Sequence, residues 1–327
     1  MPDPGPITRA SLGERLPELP LEEWKDTKDT LQLYVQMVGK IRLASTAPKN
    51  HWWHCPLYVS ARGLTTRRMR FGERSFQIDF DFIDHELVIR ADRGDREALP
   101  LHDGLSVADF CGQLFGLLAK VGIEPAVRLE PYGIATTTPF PDDSDHASYD
   151  RNYVERFWRI LLEVDWILDE FAGWFSGKSS PVHLFWHGFD LAVTRFSGRR
   201  APGPAAADPV SREAYTHEVI SFGFWAGDDK VAAPAFYSYT SPEPPGLTDE
   251  PLRPEEAFWR RTNGSHQAML WYEDFRTSES PRDTLLAFLQ SAYEAGAKTA
   301  GWDEDELAAS WAPRVDEPRE RFGRRGR

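Results

Sequence analysis

The sequence is short of several things, and each shortage removes a class of function. It holds 2 cysteines in 327 residues, Cys55 and Cys111. One disulfide is the most they can close, and both lie among apolar neighbours, where a buried free thiol is the ordinary outcome. A disulfide-built secreted scaffold is therefore excluded, and a reducing compartment, the cytoplasm, is expected. No run approaches the roughly 20 consecutive apolar residues of a membrane span, and residues 1–20 lack the basic-then-apolar order of a secretion signal. Positive charge is also scarce: 38 Lys and Arg stand against 51 Asp and Glu, a net charge of −13. Such a surface repels nucleic-acid phosphates and anionic lipids, so neither nucleic acid nor membrane is an expected partner. Phosphate-cradling loops of the Gly-x-x-x-x-Gly-Lys-Ser/Thr and Gly-x-Gly-x-x-Gly kinds are missing, as is the Gly-x-Ser-x-Gly turn of lipase-like hydrolases.

Material for a core is plentiful. Hydrophobic residues make up 41% of the chain, with 12 Trp and 20 Phe, enough for one large domain or two smaller ones. Residues 1–20 contain five prolines and little periodicity and read as a disordered arm. The Arg-rich stretch 313–327 reads as a disordered tail, leaving 21–312 as a single folded domain. Apolar spacing of three and four predicts helices over 29–43, 107–121, 153–175 and 283–299, the second capped by Ser106 and ended by Gly122. Period-two alternation predicts strands over 76–82 and 87–89, and further strands are expected over 50–59, 126–129, 181–196, 217–225, 235–239 and 268–272.

A shift of 133 positions lays Glu22 on Glu155, Pro48 on Pro181, Trp53 on Trp186, His54 on His187 and Arg62 on Arg195. The expected fold class is therefore α+β, with two similar halves, about 21–130 and 151–302, each running helix, antiparallel strands, helix. The halves would join about a pseudo-twofold axis, long helices covering an antiparallel sheet, with a ligand groove at their junction.

Several segments also resemble a known family. They are Asn50-His51-Trp52-Trp53-His54, Ala61-Arg62-Gly63-Leu64-Thr65-Thr66, Ser180-Pro181-Val182-His183, Phe189-Asp190-Leu191-Ala192, Thr194-Arg195-Phe196-Ser197-Gly198-Arg199 and Tyr215-Thr216-His217-Glu218-Val219. Together they are similar to the bacterial family catalogued as domain of unknown function 5996, over about 19–302. The resemblance implies no particular activity or cofactor.

The chemistry-bearing residues cluster in the same segments. His183 or His217 would carry a proton near neutral pH, Asp190 would orient the imidazole, and Glu218 would serve as an acid raised by aromatic surroundings. Arg62 and Arg195 would anchor an anionic group, while Trp53, Trp186 and Tyr58 would wall the substrate. A zinc or iron site would draw on His51, His54 and His183, although the helical His-Glu-x-x-His spacing is lacking. The expected function is that of an enzyme on a small polar molecule in an aromatic-walled groove, with metal dependence open. The alternative is a non-catalytic module that binds a small ligand.

Overall fold

A computed structural model of the protein describes residues 16–202, 208–262 and 264–312. The expected arm over 1–15 and the expected tail over 313–327 lie outside the described residues. Residues 16–20, read as part of the arm, belong to the fold. Leu16 and Leu19 are each 3% exposed, and the Pro17 carbonyl accepts a hydrogen bond from Tyr272 Oη at 2.8 Å.

Helix α1 (Leu21–Ala44) begins well before the expected Asp29, directly after Pro20, with Glu22 and Glu23 complementing its N-terminal dipole. It leads into an antiparallel sheet of β1 (Tyr58–Ser60), β2 (Gly63–Thr65), β3 (Met69–Phe71), β4 (Arg74–Asp81), β5 (Glu86–Ala91) and β6 (Arg96–Pro100). Its order is β1-β2-β4-β5-β6, with β3 paired on β4. Phe76, Ile78 and Phe80 of β4 point into the core while Gln77 and Asp79 stay wetter, as their alternation predicts. Helix α2 (Val107–Lys120) follows, its Ser106 cap accepting from the Asp109 N–H at 3.0 Å.

The second half opens with α3 (Arg151–Gly173), capped by Asp150. Its sheet contains β7 (His183–Phe185), β8 (Asp190–Arg200), β9 (His217–Trp225), β10 (Ala235–Ser241), β11 (Phe258–Thr262) and β12 (Ser265–Trp271), in the order β11-β12-β10-β9-β8-β7. Short α4 (Pro209–Ala214) precedes β9, and α5 (Tyr272–Thr277), α6 (Pro281–Ala300) and α7 (Glu304–Leu307) close the described chain. The fold is α+β. The two sheets meet edge to edge where Leu57 and Leu184 exchange N–H···O bonds of 2.9 and 2.8 Å. Helix α3 lies across that seam, against both β1 and β8. One buried apolar cluster runs from Leu16 to Trp302 through both halves.

Three sequence expectations change. Residues 50–57 are not a strand: 50–52 form a tight turn with His51 and Trp52 at φ 55° and 61°, a left-handed region no strand visits. The stretch 181–196 is a hairpin, because Trp186 to Phe189 form a turn with Phe189 at φ 56°. Residues 126–129 pair with no strand. Although each half runs helix, strands, helix, the gapless shift of 133 carries β4 from 74–81 onto 207–214, where α4 lies. That register and the pseudo-twofold axis argued from it have no support in the elements.

Candidate functional site

One face of the second sheet is the floor of a cavity of about 440 Å³. Strand parity decides which side chains reach it. From β8 come Asp190, Ala192, Thr194 and Phe196, from β9 Val219 and Ser221, from β10 Tyr237 and Tyr239, while Leu191, Val193, Ile220 and Phe222 sink into the core on the opposite face. Across the sheet Ala192, Gly223 and Tyr237 stand in register. Gly223 lets the phenol of Tyr237 lie over β9: a Cβ there would stand 2.5 Å from the Tyr237 hydroxyl oxygen. Tyr237 Oη thereby donates to Asp190 Oδ2 at 2.5 Å. Removal from water pushes the Asp190 carboxyl above its usual range, opposed by the Tyr237 hydrogen bond and by His187. Burial and the neighbouring Asp190 raise Tyr237 well above the ordinary phenol value, so it remains a donor. Beside this pair Thr194 Oγ1 and Ser221 Oγ lie 2.9 Å apart, and the Tyr215 and Tyr239 hydroxyls 3.1 Å apart.

A second wall is the left-handed turn at His51, Trp52 and Trp53. It is tied to α4: the His51 N–H donates to Glu213 Oε1 at 3.0 Å, and Trp52 Nε1 donates to the Val210 carbonyl at 2.9 Å. His51 Nδ1 lies 3.1 Å from the Ala214 carbonyl and so carries the proton, which leaves Nε2 to accept from Lys178 Nζ at 2.8 Å. Burial lowers the His51 pKa, and Lys178 and His217 lower it further. The Lys178 ammonium stands 5.2 Å over the Trp53 ring and 4.8 Å over Phe196.

Helix α1 supplies the third wall through Lys40 and Leu43, and a polar stripe on its apolar second half holds the neighbouring loops in place. Gln32, Gln36 and Lys40 recur every four residues and share one face. Gln32 Nε2 donates to the His187 carbonyl at 2.8 Å, and the Gln36 amide clasps Tyr132 by both its N–H and its carbonyl at 2.9 Å each. These bonds position the Tyr132 and His187 walls. Gly39 makes room for the Trp186 indole, which a Cβ would strike, and Lys40 Nζ stands 5.6 Å over the same ring. Cys55 also lines the cavity, a free thiol pushed up to about 12 by burial, and Cys111 is likewise free and buried.

The model of the Family of unknown function (DUF5996) matches residues 16–309, a span that includes every wall of this cavity. The chain belongs to that family. No curated protein and no solved structure matches it.

In this DUF5996 member the structure brings together Trp53, Trp186, Asp190 and His51, and disperses the other residues expected at the site. His183 is 1% exposed and lies outside the cavity lining, with no hydrogen bond to either ring nitrogen among the described residues. Burial drives its pKa to about 3; the Pro181 carbonyl opposes the shift without reaching hydrogen-bonding geometry. A ring so sealed cannot act as the expected proton carrier. His217 packs edge-on to His51 with its Nδ1 on Thr216 Oγ1 at 3.0 Å, and does not line the cavity. Glu218 falls on the other parity of β9, where it binds Ser197, Arg199 and Trp302 Nε1, away from the lining of this cavity.

Arg195 takes the core-facing parity of β8, Arg62 pairs on the surface with Asp81 and Asp84 at 2.5 and 2.6 Å, and Tyr58 stacks beneath Arg67 at 3.4 Å. The proposed metal ligands do not converge either. Both nitrogens of His51 are engaged, His54 Nδ1 accepts from the Lys49 N–H at 3.1 Å, and His183 is enclosed. Among the described residues no group of three or more His, Cys, Asp or Glu is placed to hold a metal. No helix among them is long and apolar enough to cross a membrane. Tyr237, Tyr239 and the Gln32–Gln36–Lys40 stripe were missed. A signal for them exists: two tyrosines alternating along a strand, and polar residues at four-residue spacing in a helix whose neighbours are apolar.

Proposed function

We propose that the protein is a binding module for a small flat heteroaromatic molecule carrying N–H donors, held in the cavity floored by β8, β9 and β10. The observation that carries this reading is Asp190, gripped by Tyr237 across Gly223 in a cavity that Trp53, Trp186, Phe185 and Tyr132 also line. Aromatic walls favour a planar ligand through stacking, and a carboxyl group facing the cavity selects for N–H donors. The volume suits a ligand of that size. The scattering of His183, His217 and Glu218 weighs against the catalytic trio expected from the sequence. A second reading is favoured by the 2.5 Å bond between Asp190 and Tyr237, which joins a phenol to a carboxyl whose pKa burial raises: the pair would move a proton on the bound molecule.

Titration with a purine, a pterin and a donor-free flat hydrocarbon, followed by tryptophan fluorescence, tests both readings. A donor-bearing ring should saturate the signal, and Asp190→Asn should weaken it about tenfold or more, the scale of one charge-assisted hydrogen bond. Equal binding of the hydrocarbon, or no loss in Asp190→Asn, would reject the site. Recovery of the bound ring unchanged after long incubation with stoichiometric protein supports the binding module, and chemical conversion supports the enzyme.

A further inference from the structure

Arg195, displaced from the groove by strand parity, sits beneath a separate cavity of about 550 Å³ on the helical side of the second sheet. That cavity lies between the end of α3, helix α6 and the segment from α7 onward, and Phe175, Tyr293, Glu304 and Leu307 line it with Arg195. Arg195 is 2% exposed. Its one acceptor among the described residues is the Phe171 carbonyl, 2.5 Å from Nη2, and its Nε has no partner among them. The rings of Phe171, Tyr293 and Phe175 surround it at 3.6, 4.5 and 5.0 Å. No carboxylate among the described residues is paired with it, and the Tyr293 hydroxyl is also without a partner there.

A carboxylate offsets the cost of taking a guanidinium out of water better than carbonyls and ring faces do; Arg42, also buried, likewise rests on a carbonyl, that of Thr66, but does not line this cavity with Arg195. That cost is visible in the Arg195 pKa, which burial lowers to about 9. The mouth of the cavity is of the opposite sign. Glu294 is satisfied by Arg253 at 2.7 Å. Burial, together with Glu294 and Asp305, raises the Glu304 carboxyl against the opposing Lys298, whose ammonium is bonded to Glu250 at 2.8 Å. A simple anion would be repelled at that mouth and a simple cation would be repelled at its base.

We infer that this cavity is a second binding site, distinct from the aromatic groove, for a small zwitterion whose carboxylate pairs with Arg195 and whose ammonium pairs with Glu304. The Arg195 fork suits a planar carboxylate, and the free Tyr293 hydroxyl supplies one more donor to it.

The test uses the whole protein, with glycine, β-alanine, γ-aminobutyrate and δ-aminovalerate as probes and acetate and methylammonium as controls, read by calorimetry. One amino acid in the series should bind at least about tenfold more tightly than acetate, the contribution of a second charged contact. Glu304→Gln should remove that preference, with acetate bound as tightly as by the parent or more tightly, because the mouth then repels an anion less. Arg195→Met should abolish binding of every carboxylate and melt at the same or a higher temperature than the parent, since it removes an unpaired buried charge. The inference is overturned if acetate binds as well as every amino acid, if Glu304→Gln keeps the preference, or if Arg195→Met still binds carboxylates.

Discussion

Asp165 shows how burial alone sets a pH response. It lies on α3 within reach of Asp169, and burial first, then that neighbouring carboxylate, raises its pKa to about 7, with Arg67 opposing. An unfolded aspartate titrates near 3.9, so the folded chain holds this proton more tightly than the unfolded chain does. Stability is therefore intact below about pH 4 and is lost as pH rises through about 7. Asp165→Asn should melt like the parent at pH 4, gain on the order of 1 kcal/mol by pH 7.5, and gain nothing more above it. Thermal melts across that range would show this, and a gain independent of pH would contradict it. The same logic separates Asp190 from His183: both are displaced from their ordinary ionisation, but only Asp190 faces space that a ligand can enter.

At the level of elements, α1 functions as the rear wall of the groove rather than as a mere cover for the first sheet. Its Gly39 admits Trp186, and its glutamines hold two loops by their backbones. Gly39→Ala should therefore cost about 1–3 kcal/mol through overpacking, although alanine is the better helix former by about 1 kcal/mol. It should also weaken the groove's ligand, because the indole has to move. Denaturant unfolding and fluorescence titration of the same variant measure both effects. A Gly39→Ala protein as stable as the parent would mean that Trp186 has room to shift, and would remove Gly39 from the account of the cavity. In β9, Gly223 has the same relation to Tyr237, so both glycines are set by aromatic neighbours rather than by turn geometry.

For the whole molecule, the seam between the sheets matters most. The Leu57–Leu184 bridge joins β1 to β7 by two hydrogen bonds, Trp158 Nε1 on α3 donates to the Ser60 carbonyl at 3.1 Å, and the core is continuous across the junction. Neither half covers its own sheet edge at that point. The chain should unfold in a single calorimetric transition with equal calorimetric and van't Hoff enthalpies. Separately expressed halves, residues 16–130 and 151–312, should lack cooperative melts. Two resolved transitions, or an independently folding half, would contradict this.

Much of the frame was legible in the sequence, because hydrophobic period is a local property. The alternation of Phe76, Ile78 and Phe80, the Ser106 cap and the stripe of α3 each specified their element without reference to anything distant. The aromatic and acidic partners of the groove, Trp53, Trp186 and Asp190, were legible as unusual residue types in suspicious company. What only the tertiary structure decided was which of them meet. Two short departures from regular backbone, the left-handed turn at His51 and Trp52 and the turn ending at Phe189, were invisible to periodicity; the first brings the His51 turn over the groove, and the pairing register of β8, β9 and β10 settles on which side of the sheet each strand residue lies. Because side chains alternate at every residue of a strand, that placement sent Asp190 and Tyr237 to one cavity, Arg195 to another and Glu218 to an ion pair with Arg199.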